Sequence, residues 1–213
     1  MRLMNMPTVS AIAGLVATLA CGPASADNAS KHTAELQPLN ESVTGSETKG
    51  KASFVRDGDK LTIIVDVQGA PAGIMHLQHF HGFADGEKAA ACPSAEDDSN
   101  GDGIVDLKET EPKAGTTMVP FHDKPASMEI PSESYPKADA DGSYHYEQTV
   151  DLAKLQEAFA EAFNGQDLDL ERRVVFIHGV DPKTEFPDSV ASLGDIPAHI
   201  TLPIACGKIE AAD

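Results

Sequence analysis

Apolar and polar residues alternate in short runs through most of the chain, at Ala52-Ser53-Phe54-Val55, at Leu61 to Val67, and again over 143–150 and 172–179. Period-2 alternation marks strands with one face turned to a core. Strands are therefore expected at His32 to Leu39, 52–55, 61–67, 74–82, 116–121, 125–130, 143–150, 172–179 and 199–205. Arg56-Asp57-Gly58-Asp59 supplies turn chemistry between two of them and predicts a hairpin; Pro71-Ala72-Gly73 and Asp139-Ala140-Asp141-Gly142 predict further turns. The period changes once. Leu152, Leu155, Phe159 and Phe163 recur at helical spacing between Asp151, a capping residue, and Asn164-Gly165, which ends the run. That stripe predicts a short helix packed on the sheet. Many short strands with one helix predict an all-β fold, an antiparallel barrel or sandwich. The segments 83–115 and 181–198 lack the pattern and are expected to be long functional loops.

The 213 residues, 41% of them apolar, suffice for one domain with a sizeable core. The first 26 differ: Arg2, the apolar run Val9 to Ala20 and the small-x-small Ala24-Ser25-Ala26 read as a secretion signal, leaving 27–213 as the domain. The run is too short to span a bilayer, so no transmembrane segment is expected. Leu19-Ala20-Cys21-Gly22 also fits a lipoprotein processing site, which leaves an anchor through Cys21 open. Either route places the domain in the periplasm or outside the cell. In that oxidising compartment Cys92 and Cys206 are natural disulfide partners once Cys21 is set aside. The net charge is -18, and because Arg2 is the one charged residue among the first 26, the remainder carries -19. Such a surface repels nucleic acid and anionic lipid.

Two motifs carry chemistry. Asp98-Ser99-Asn100-Gly101-Asp102-Gly103-Ile104-Val105-Asp106-Leu107-Lys108-Glu109 matches the twelve-residue calcium loop. Oxygen ligands fall at Asp98, Asn100, Asp102, Asp106 and Glu109, Ile104 offers its carbonyl, and Gly103 makes the sharp turn. Cys92-Pro93 before the loop and Pro112 after it argue against a full paired sensor domain; Pro112 is expected to truncate any helix starting near Leu107. A calcium-stabilised insertion over about 83–115 is the expectation. The second motif is His76-Leu77-Gln78-His79-Phe80-His81-Gly82, where His79 and His81 alternate so that one strand face presents two imidazoles. A further histidine, His178, ends the apolar run Arg173 to His178. Imidazole suits copper or zinc.

In order along the chain stand His76, His79-Phe80-His81, Cys92, the Val174-Val175-Phe176-Ile177-His178 strand and Ala205-Cys206-Gly207. This series resembles the copper/zinc superoxide dismutase family over roughly residues 33–210, which implies an all-β antiparallel Greek-key barrel or sandwich. The resemblance implies His79, His81 and His178 as copper ligands, a Cys92–Cys206 disulfide, and His76 as a supporting histidine. It implies His122 as the weakest-matched ligand, with His145 a more distant candidate. The family's zinc loop has no counterpart, since the calcium motif occupies its place, so zinc is not expected. Pro203 stands where active members carry an anion-guiding arginine. Chordin-type extracellular modules also carry H-x-H-G segments, but they account less well for Cys206. The expected function is an exported copper-binding protein, a zinc-free superoxide dismutase in one reading and a non-catalytic copper carrier in another, with a calcium-stabilised structural module as the third.

Overall fold

Alternation and turn chemistry produce most of the strands they predict. The computed structural model describes residues 29–212 except 46, 87, 131 and 132; the secretion signal expected at 1–26, with Cys21, lies outside the described residues. Among the described residues nine strands run as β1 Ser30–Pro38, β2 Lys49–Asp57, β3 Lys60–Gln68, β4 Gln78–Gly82, β5 Thr116–Pro120, β6 Tyr144–Asp151, β7 Val174–His178, β8 Pro203–Lys208 and β9 Glu210–Ala212. The helices are α1 Glu41–Thr44, α2 Leu107–Ala114, α3 Leu152–Ala162 and α4 Ala198–Thr201, with short 3-10 turns between elements. Every strand pairing is antiparallel, in the order β5-β4-β7-β8-β1-β2-β3-β6, with β9 added on β1. The result is one curled sheet, a half-barrel whose edges are β5 and β6. Among the described residues no helix is long and apolar enough to cross a membrane.

β1 joins the two halves of the sheet. Its residues Ser30 to Leu36 pair with β2, and its last two, Gln37 and Pro38, pair with Cys206 and Ala205 of β8. The β2–β3 hairpin closes at Asp57↔Lys60 with Gly58 at a φ of 56°, a left-handed conformation that glycine adopts without strain. Inward positions of both halves fill a single core, in which the Phe54, Phe80 and Phe121 rings lie 4.9–5.9 Å apart, centre to centre. Truncating one such buried ring removes about 3–5 kcal/mol. α3 forms as its stripe predicts: the Asp151 carboxylate accepts from the Lys154 amide at 3.1 Å, and Leu155 and Phe159 are fully buried.

Several elements differ from the sequence expectation. The segment 125–130 is not a strand; Pro125 starts a 3-10 turn, having no N–H to give a ladder, and Met128 takes a left-handed conformation. The histidine strand begins at Gln78 instead of 74, preceded by a lone Met75↔Lys137 bridge. Over 199–205, Ala198–Thr201 is a helical turn and the strand starts at Pro203. Pro112 does not end α2, which continues two residues beyond it to Ala114 before Gly115.

The outward face of β4, β7 and β8 is not left to solvent. Val174, Phe176 and Cys206 form a second, smaller core there with Leu39, Ala90 and Ala114, brought by the flanking segments. The Cys92–Cys206 disulfide, with Cα atoms 5.7 Å apart, staples that covering loop to β8.

Candidate metal centre

Strand parity assembles the histidines. His79 is the cross-strand partner of Phe176, and His81 of Val174. Cross-strand partners share a face, and so do residues two apart on one strand. His178, two beyond Phe176, therefore joins His79 and His81 on the outer face, beneath the loop cover. The His79 ring centre lies 4.8 Å from that of His81 and 4.6 Å from that of His178. One ligand atom from each of the three lies within 4.8 Å of the others, and all three residues are at most 3% exposed. A bulge between β4 and β5 separates the two strand histidines: β5 runs from Pro120 to Thr117 while β4 runs from His79 to His81.

Backbone carbonyls fix the tautomers. His178 Nδ1 faces the Thr201 carbonyl at 2.7 Å, and His81 Nδ1 faces the Gly115 carbonyl at 3.3 Å. A carbonyl only accepts, so each of these nitrogens carries the proton and donates it, leaving Nε2 with a lone pair. His178 Nε2 and His79 Nδ1 are buried and have no hydrogen-bond partner within the protein. Buried polar atoms are ordinarily satisfied, so two orphaned ring nitrogens in one cluster ask for a ligand.

Burial also holds the rings neutral. It is the largest cause in each case, pushing His178 down to about 4 and His81 down to about 3, and taking His79 well below its ordinary range. Mutual repulsion among the three adds to the depression at His79 and His81. Neutral, uncharged nitrogen donors in a dry site suit a borderline-soft divalent or monovalent transition metal. The residues present thus fit a metal ion.

His76 supports the cluster from outside it. Its Nδ1 lies 3.0 Å from the His178 carbonyl, its Nε2 lies 2.9 Å from that of Pro71, and its ring stacks 5.7 Å from Tyr144. His122 is not brought to the trio: Nδ1 accepts from the Lys124 amide at 3.0 Å, and Nε2 lies 2.7 Å from the Glu129 carbonyl. His145 is exposed on β6 and pairs with Asp66 at 2.7 Å. Pro203 is the cross-strand partner of His178, so no cation stands at that position. Sequence reasoning missed Gly115 and Thr201, whose carbonyls contact the ring nitrogens and leave no residue-type signal to find, and Thr117, whose side-chain hydroxyl lies beside His81.

The segment 98–109 folds as a tight acidic turn. Asp98 accepts from the Gly101 and Gly103 amides at 2.8 Å, and both glycines have positive φ. Asn100 accepts from the Asp102 amide, and Asp102 from that of Ile104. Asp106 caps α2, and Glu109, mostly buried, accepts from Ser99, Asn100 and the Asp106 amide. The second long loop packs here, through Ser189 to Asp102 at 2.5 Å and the Ala191 amide to Asp106 at 2.6 Å. Asn40 ties the turn to the sheet, donating to the carbonyls of Val105 at 3.0 Å and Pro203 at 2.9 Å and accepting from the Val105 amide. Among the described residues, the histidine trio is the group of histidine, cysteine and acidic side chains placed to share one ion.

No protein-family model matches the chain, and no curated protein matches its sequence.

Proposed function

We propose that this chain is an exported copper-binding protein whose site is His79 Nδ1, His81 Nε2 and His178 Nε2. The observation that carries the reading is the pair of buried, unpartnered imidazole nitrogens at His79 and His178, clustered with His81. The strand order supports the dismutase-like barrel that the sequence resembles: closing the half-barrel would bring the edge strands β5 and β6 together. A bound ion would be held by three neutral nitrogens and would supply one-electron chemistry if it is copper. The protein's part is to orient the rings through Gly115 and Thr201 and to keep bulk water away.

Dismutation of superoxide is the second reading, favoured by a three-ligand site that leaves a coordination position open. Pro203 and the charge of -18 oppose it, since local positive potential speeds anion capture. A copper carrier needs neither. Residues 98–109 form the proposed calcium loop, supported by the glycine turns that gather Asp98, Asn100 and Asp102; Glu109 would exchange its amide partners for the ion.

Titration of the purified chain with Cu(II), followed by electron paramagnetic resonance, tests the reading. One equivalent with nitrogen hyperfine structure is expected, lost in His178→Ala. Preference for zinc with no copper signal would refute copper, and calcium binding with no transition metal bound would select the structural-module reading. Superoxide consumption no faster than that of free copper would leave the carrier.

A further inference from the structure

Within the histidine cluster, His79 Nδ1 and His178 Nε2 have no partner, whereas His81 Nε2 has one. His81 Nε2 lies 3.2 Å from the Thr117 hydroxyl, and with Nδ1 directed at the Gly115 carbonyl, Nε2 holds the lone pair. The Thr117 O–H is therefore the donor to the one atom by which His81 can bind an ion. The sheet holds it there, since Thr117 is the antiparallel partner of His81 across β4 and β5. Thr117 is half-buried where the histidines are buried.

A hydroxyl has a single proton, and it cannot serve His81 and another acceptor together. We propose that Thr117 is a positioning residue with two alternating roles, an inference that rests on the histidine-trio reading. Its proton competes with the metal ion for His81 Nε2. Once the ion holds that lone pair, the same proton donates to a small anion or water at the open coordination position. The ligand class is a compact anion, for which azide is the probe. No covalent step is involved, only exchange of one hydrogen-bond acceptor for another.

Thr117→Val keeps the branched shape and removes the proton, while Thr117→Ser keeps the proton. Copper affinity is measured on the full chain against a competing chelator, and azide affinity on the copper-loaded protein by its charge-transfer absorption. Thr117→Val is expected to bind Cu(II) about two- to tenfold more tightly, the span of a net hydrogen bond. It should bind azide weaker by a similar factor. Thr117→Ser should stay within about twofold of wild type on both counts, and Thr117→Ala must follow Thr117→Val. The opposite signs separate this role from a merely structural one, which would weaken both affinities together. Unchanged copper affinity in Thr117→Val, or joint weakening, overturns the proposal. A wild-type chain that binds no Cu(II) overturns the histidine-trio reading, and this inference with it.

Discussion

Acid should unfold the chelator-treated protein through its own buried histidines, in a pH window that carboxylates do not reach. In the folded chain, burial holds His178 down to about 4 and His81 down to about 3, against an ordinary 6.5. The unfolded chain takes up a proton on each near the ordinary value, so below it the unfolded state binds more protons and stability falls with pH. The contribution is fully present above 6.5 and is lost progressively toward the folded values. Each group removes about 1.4 kcal/mol per pH unit in that interval. Each unfolded histidine is half protonated at about pH 6.5, so from there to about pH 5 the two remove about 3 kcal/mol, and His79 and His76, depressed in the same direction, add to it. Domains of this kind are stable by about 5–15 kcal/mol, so the loss is a large share. Carboxylates such as Asp97, drawn down by its bond to Lys113, act only at lower pH. Urea denaturation in the presence of a chelator, at about pH 7, 6 and 5, reads the effect as a falling midpoint at constant slope. In His178→Gln the loss across the window should shrink by about 2 kcal/mol, whatever that variant's starting stability. Equal midpoints at the two ends of the window, or an undiminished loss in His178→Gln, would refute the reasoning.

Three further outcomes follow from the same geometry. Because all three rings are already neutral, Cu(II) affinity should change by less than about threefold between about pH 7.5 and pH 6, where three exposed histidines would lose about fiftyfold; chelator competition measures it. Replacing Cys92 and Cys206 by Ser opens a loop of sequence separation 114 and should destabilise by about 3–5 kcal/mol in urea, an effect that reductant reproduces on wild type. Gly115 has φ 75° and ψ -149°, and a Cβ there would be driven into the Gly82 carbonyl; Gly115→Ala should destabilise by about 3 kcal/mol and weaken copper binding by misplacing the His81 acceptor, whereas an unchanged melting temperature would refute the close approach.

Local signals in the sequence were legible where one residue type has one physical job. The turn around Gly58, the α3 stripe, the parity of His79 with His81 and the pairing of Cys92 with Cys206 could all be read from spacing and chemistry, and the structure contains each of them. Signals failed where tertiary contacts outweigh pattern. Met128 and Ile130 resemble part of a strand, yet Pro125 withholds a ladder donor and the chain turns. β9 has the sequence Glu210-Ala211-Ala212, without β-branched or aromatic residues, and exists because β1 offers it a free edge. The resemblance placed His122 among the ligands, but Lys124 and Glu129 occupy both its nitrogens within its own loop. His178 belongs to the cluster because β7 lies beside β4, an adjacency no local window contains.

The strand that joins both halves of the sheet also sets when the protein can fold. β1 pairs with β2, which follows it closely, but its remaining partners are β8 and β9, beginning at Pro203. Contacts so distant in sequence slow folding, because the loop must close before the pairing rewards it. During synthesis the β2–β3 hairpin can form early, whereas Gln37 and Pro38 wait for Ala205 and Cys206 to leave the ribosome. The two halves of the sheet therefore stay unjoined until β8 has been made, a kinetic property that follows from one strand dividing its pairing between near and distant partners.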